Sequence, residues 1–434
     1  MKQLVNHRPL AGVVVLAVAL AAPPATPAQS AAFEAPGLRA YVRQVLAGNA
    51  GLRAADARAV AAAQRIAPAG ALPDPTVSLG AMSVPVTSFD LDREPMTQVP
   101  TIALQQRFPF PGKQGALAGV ARAESTLAQA SRTVLETALA SAAARAYYDL
   151  ASARTALDIW RGRVTLADQA IAVSRVRYET GAAPQTDLLR ARLRRAELEE
   201  AGDALEAALV AAAARADALR AGADDSIPAP SLVGPGRRAA VSPDQALPAD
   251  SALRELDTRN PRLREAREEV ERGDRRARVA AIAARPDFTL TLQNGVRLGG
   301  REPFVSATVG ISVPLWASRK QSPAARAARF DADAARERYR DLTARLEGEL
   351  AAESAELGAL ATRIRRTENE ILPLAEGAAA SALAGYRVGG VEFTAVLETQ
   401  DDVFRAELRL ARLVADYGAT RARLAALLGE EWYR

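Results

Sequence analysis

The chain has 434 residues with 56 basic and 51 acidic side chains, no cysteine, and one histidine, His7. Setting aside the leader described below, the excess of positive charge falls to three, which gives no argument for nucleic acid. Without thiols or an imidazole beyond His7, disulfide frameworks, an acylated N-terminal cysteine, zinc, copper or haem ligation, Ser-His-Asp triads and cysteine nucleophiles drop out. Neither an enzyme nor a cofactor nor a metal is expected.

Residues 1–30 read as a secretory signal peptide. Lys2 and Arg8 precede an apolar run from Leu10 to Ala22, too short to span a bilayer, and a small-residue, proline-rich stretch ends at Ser30. No later apolar run is long enough for a transmembrane helix, and aromatic residues are only 5% of the chain while alanine is abundant. That composition favours long helices in close approach over a thick core.

The remainder is written twice. Residues 31–222 and 251–434 follow one order: a helix of about 30 residues, two strands, a helix of about 66 residues, a Tyr/Gly turn and a helix of about 40 residues. Asn49 pairs with Asn260 at an offset of 211, and the turn RYETGAAPQTDLL from Arg177 pairs with GYRVGGVEFTAVL from Gly385 at 208. Gly222 pairs with Gly429 at 207. Each long helix, near 112–177 and 322–387, extends about 100 Å at roughly 1.5 Å per residue. A 30-residue and a 40-residue helix stacked end to end match it in height. Apolar residues spaced by three and four mark two coiled-coil seams, one from Leu150 through Leu157, Trp160 and Ala167 to Ile171, the other from Val403 through Leu410 and Tyr417 to Leu427. Pro373 should bend the second long helix or break a hydrogen bond there. Residues 223–250, with five prolines, form a connector, either a disordered linker or an ordered belt packed on the helices.

Period-two alternation marks the strands. Ile102, Leu104 and Phe108 oppose Thr101, Gln105 and Arg107, and Thr76 to Met82 alternates weakly. Phe288, Leu290, Leu292 and Val296 oppose Thr289, Thr291, Gln293 and Gly295. Val305, Ala307, Val309, Ile311 and Val313 oppose Phe304, Ser306, Thr308, Gly310 and Ser312. Such strands suit a tilted crossing of an outer membrane, with loops near Ser83 to Met96 and Leu298 to Glu302 outside. Four strands cannot close in lipid, where every backbone group must be paired, so further copies must complete the wall; three give twelve strands and a matching ring of helices. FPGKQ around Lys113 is a helix start after Pro-Gly and not a phosphate loop.

This order, with RYETGAAPQTDLL, YRVGGVEFTAVL and QQRFPFPGKQ, resembles the TolC family of trimeric outer-membrane efflux channels over essentially the whole mature chain, most closely its heavy-metal or cation efflux branch. The resemblance implies a mainly α fold with a small β-barrel portion: a long coiled-coil α-barrel plus four membrane strands per protomer, in a homotrimer with a twelve-stranded barrel. It also implies an equatorial belt, an outer-membrane location with a large periplasmic portion, and a passive exit duct passing heavy metals, cations or drugs. The implied partners are outer-membrane lipid, a periplasmic adaptor and an inner-membrane pump of the RND class.

The duplicated turn becomes a pair of hairpin tips, two per protomer in a ring of six, which the family uses as its gate. The resemblance assigns Asp187 and Tyr386 to the gate and Glu398 to a lumen-facing acid, while Ala395 replaces the second acid and Val391 the gate arginine. Gly181, Leu188, Leu189, Gly389, Val396 and Leu397 form the adaptor-docking tips. From the repeat itself, Arg190 corresponds to Glu398 and Arg194 to Asp402 at the 208-residue offset, so opposite charges on adjacent hairpins are expected to pair, with Asp187 accepting a hydrogen bond from Tyr386. Rival readings are a type I protein-secretion conduit, a periplasmic adaptor and an envelope coiled-coil spacer.

Overall fold

A computed structural model describes residues 37–84, 96–220, 227, 232, 249–297, 299 and 301–433. The signal peptide, the outer part of the first strand loop, residues 298 and 300 of the second, and almost all of the connector lie outside the described residues. In chain order the elements are α1 (Leu38–Gly48), α2 (Ala50–Gln64), α3 (Ile66–Gly70), β1 (Thr76–Met82), β2 (Gln98–Phe108), α4 (Lys113–Glu179) and α5 (Gln185–Leu219). There follow α6 (Ala249–Arg259), α7 (Pro261–Ile282), β3 (Phe288–Gly295), β4 (Phe304–Ile311), α8 (Gln321–Arg366), α9 (Leu372–Arg387) and α10 (Phe393–Leu427).

The expected 30-residue helix at the head of each repeat is broken. Asn49 and Asn260 adopt extended backbone, and each side chain accepts the N–H three residues on, Leu52 and Leu263, at 3.0 Å. A capping asparagine therefore ends one helix and starts the next, and Pro261 suits the first turn of the second. The repeat at offset 211 is thus a duplicated helix break. Asn260 also donates to the Leu427 carbonyl at 2.7 Å, tying this break to the end of α10.

The 67-residue α4 runs beside α1, α2 and α3 and then beside α5, and its other sides meet α7 and α10. Its counterpart is α8 and α9 joined by a five-residue π-helical turn, Thr367–Ile371. That turn lies immediately before Pro373, which cannot donate to the preceding turn, so widening absorbs the lost bond and the helix continues. The second seam is filled: Val403, Ala406, Leu410, Leu413, Tyr417, Thr420 and Leu427 are all buried. In the first, Leu150 and Leu157 are buried, whereas Trp160, Val164, Ala167 and Ile171 are only half-buried, so packing loosens toward the turn. Where α4 meets α10, Tyr148 lies against Gly418, and a Cβ there would stand 2.3 Å from the ring. The main core sits at this level, around Tyr41, Val45, Tyr147, Leu150 and Ala216, with the Tyr41 hydroxyl donating to the Ala216 carbonyl at 2.8 Å. Two residues of the connector rest on α4 here: Arg154 donates to the Ile227 carbonyl, and the Leu232 N–H to Thr155 Oγ1.

The four strands form one antiparallel sheet in the order β1-β2-β3-β4. Its register sorts the side chains. Val77 opposes Leu104, which opposes Leu292, which opposes Ala307; Phe108 opposes Phe288, which opposes Ile311. The other face carries Thr76, Gln105, Thr291 and Thr308 in one row and Ser78, Ala103, Gln293 and Ser306 in the next. The outer apolar residues are bare: Leu79 is 74% exposed, Val305 75% and Val309 71%.

One carboxylate joins sheet to helices. Asp287, just before β3, accepts from Arg107 at 2.6 Å, Lys113 at 2.7 Å and the Phe110 N–H at 2.9 Å, linking β2 and the start of α4 to the second repeat. Its own N–H donates to Ser312 Oγ beyond β4. Burial alone would raise its pKa; the hydrogen bonds from Lys113, Phe110 and Arg107 outweigh burial and hold it at about 2. Because the folded value lies below the unfolded one, this stabilisation is complete above the ordinary carboxylate range and is lost as pH falls through about 2. Asp287→Ala strands two cations and should cost about 3 kcal/mol in denaturant unfolding, against under about 1 kcal/mol for Ser312→Ala. The gap between wild type and Asp287→Asn should stay constant above about pH 5 and narrow toward about pH 2.

Candidate functional site: the paired hairpin tips

The duplicated turn has one hydrogen-bond pattern in both copies. At the end of α4, Ala182 N–H donates to the Arg177 carbonyl at 2.7 Å and Gly181 N–H to the Tyr178 carbonyl at 3.0 Å; at the end of α9, Gly390 donates to Gly385 at 2.9 Å and Gly389 to Tyr386 at 3.1 Å. Gly181 and Gly389 adopt φ of 72° and 77°, the left-handed residue that this helix stop requires. The tyrosine three residues before each glycine thus holds the same place in the motif.

The two tyrosines nevertheless differ. Tyr386 is 3% exposed and donates its hydroxyl to Asp187 Oδ2 at 3.1 Å, joining the second hairpin to the first as expected. Tyr178 is 43% exposed. The repeat explains why: the counterpart of Asp187 at the 208-residue offset is Ala395, which offers no acceptor. Around Tyr386 the tip has its own small core of Ala191, Ala382, Phe393 and Val396, with the Phe393 ring 5.1 Å away. Burial, then the adjacent Asp187 charge, raise the Tyr386 pKa, so the phenol stays protonated and remains a donor.

Sequence reasoning missed Arg177. Its guanidinium lies 4.4 Å over the Tyr386 ring and donates to the Tyr386 carbonyl and, at 3.2 Å, to the Ala182 carbonyl of its own turn. It therefore holds the tyrosine from the opposite hairpin, stacking on it and binding its backbone together. The available signal was an asymmetry between copies: Arg177 corresponds to Gly385, and Val391 folds back onto that glycine, where a Cβ would meet its Cγ2 at 2.6 Å.

The expected charge pairs are altered. Arg194 binds Asp401, not Asp402, together with Glu197 at 3.2 Å. One residue is about 100° around a helix, which turns Asp402 to the exposed side. Arg190 and Glu398 are also exposed and form no ion pair among the described residues. Of the six tip positions, Val396 is buried in the tip core and Leu188 is also buried, so Gly181, Leu189, Gly389 and the half-buried Leu397 present the outer surface. Among the described residues no group of His, Cys, Asp and Glu could hold a metal ion, and no helix is long and apolar enough to cross a membrane.

Residues 252–430, the bulk of the second repeat, match the outer membrane efflux protein family. That repeat carries the sequence pattern of this family. Comparison with curated proteins finds no match by sequence. Among solved structures, the fold matches the outer membrane protein VceC from Vibrio cholerae at 18% identity and a TM-score of 0.75, covering 92% of this chain and 98% of that one. It matches CusC at 17% identity and 0.77, covering 92% and 93%, and the CmeC outer membrane channel of Campylobacter jejuni at 13% and 0.76, covering 98% and 93%. At these identities the likeness establishes the fold, and it does so for both repeats. The efflux-protein family is one of channels, not enzymes.

The Tyr386–Asp187 contact predicts a coupled pair. Asp187→Ala and Tyr386→Phe should each cost about 1–3 kcal/mol in denaturant unfolding, and the double variant little more than either alone. Additive losses would show that the hydroxyl and carboxylate do not act together.

Proposed function

We propose that this chain is the outer-membrane exit duct of a tripartite efflux system, carrying cargo from an inner-membrane pump and a periplasmic adaptor to the exterior. The observation that carries this reading is the two-faced sheet with two free edges: one face aliphatic and aromatic and largely bare, the other threonine, serine and glutamine. Lipid suits the first face and a wet lumen the second. An open edge is not tolerated in lipid, so β1 of one copy pairs with β4 of the next; three copies close twelve strands while their helices continue as a tube below.

At the far end the six hairpin tips form the mouth. Tyr386, Asp187 and Arg177 latch the two hairpins of one protomer, while the exposed Arg190, Glu398 and Asp402 face the neighbouring copy, where opposite charges at one height attract. The surface tips around Gly181, Leu189, Gly389 and Leu397 dock the adaptor, whose pump is of the RND class; the cargo class is heavy metals, cations or drugs. The resemblance of the tip motifs and the family match of the second repeat support this assignment.

The test is conductance of the purified protein in planar bilayers. Wild type should show small, closed-mouth conductance, and Tyr386→Phe, Asp187→Ala and Arg177→Ala should each raise it severalfold. Arg190→Glu and Glu398→Arg should each raise it alone and restore it together; additive damage would reject that pairing. Latch variants that conduct as wild type does would overturn the gate.

A further inference from the structure

Beside the Tyr386–Asp187 contact, α4, α5, α9 and α10 line a cavity of about 140 Å³ that is partly open to the surface. It lies where the first seam loosens. Ala167 and Ala170 of α4 leave the gap, Val173 and Leu198 wall it from the first hairpin, and Tyr386 and Phe404 wall it from the second. The two arginines on its rim nearest the coiled-coil shaft are already neutralised, Arg163 by Glu407 at 2.5 Å and Arg194 by Asp401. Arg387 at the tip end is exposed and makes no ion pair among the described residues, and Gln169 and Gln400 add polar groups; the rest of the lining is mainly carbon, and such an apolar cleft accepts one benzene-sized ring.

We propose that this cavity binds a neutral molecule the size of a single aromatic ring, and that the bound ring holds the hairpins in their latched arrangement. The walls come from both hairpins, and one of them is the latch tyrosine itself. The full set of contacts exists only while the hairpins sit together, so a ligand that uses them favours that arrangement. The locking part rests on the gate reading above; the binding part does not.

The probe is fluorobenzene. In a fluorine NMR titration of the full chain in detergent, wild type should broaden the signal saturably, and Ala167→Leu, which fills the cavity, should leave only the uptake by micelles that both samples share. Ala170→Leu is the second filled variant, used if circular dichroism shows that the first has lost helix. In planar bilayers, saturating fluorobenzene should lower wild-type conductance severalfold and leave the filled variant unchanged. Identical, non-saturating titrations of wild type and variant would overturn the site. Saturable binding with conductance unchanged or raised would overturn the locking. Saturable binding by a protein that carries no current would uphold the site and remove the channel reading on which the locking depends.

Discussion

Every strand in this molecule needs a neighbour, and two of them have a neighbour on one side only. β1 and β4 end the sheet with unpaired backbone groups, and the face they help to build carries exposed valine, leucine and isoleucine side chains. In water such an edge recruits another strand, and in lipid it has no alternative. In the proposed assembly, the height of the helices and the position of the tips follow from closing that sheet with copies of itself. In that assembly a tube below the membrane must match the width of the wall within it, and Asp287, which ties the sheet to the start of α4, is where one would become the other.

Duplication gave the chain two similar hairpins, and small differences between the copies divide their roles. Tyr386 meets Asp187 and is buried; Tyr178 is exposed, and the repeat has Ala395 where Asp187 would be needed. Arg177 reaches across to the second hairpin, while its counterpart Gly385 makes room for Val391. One hairpin thus supplies the acid and the cation, and the other supplies the ring held between them. The loosened seam and the cavity lie at this same asymmetric level.

Much of this was legible in the sequence because it depended on periodicity and on residues with narrow conformational habits. The alternation in Phe288 to Gly295 and Phe304 to Ile311 placed both strands on the correct faces, and the paired glycines placed both turns. Asn49 and Asn260 were visible as a repeat, yet their meaning was local: a side chain that can cap a helix ends one only if the backbone there turns extended, and the flanking alanines and arginines disguise the break. Pro373 announced a disturbance there, and the structure shows its form as a widened turn that lets the helix continue. The charge pairs failed by one residue, because equivalence in a repeat fixes height and leaves rotation about the helix free. Arg177 escaped notice because its partners, a ring and two carbonyls, leave no complementary charge in the sequence.

The central claim is that both outer strands are paired by neighbouring copies. Amide hydrogen exchange of the purified protein in detergent measures this directly. The outward-facing amides of β1 and β4 should exchange as slowly as those of β2 and β3. Rapid exchange along β1 and β4 beside a protected centre would contradict the claim, for it would leave the sheet open at both edges.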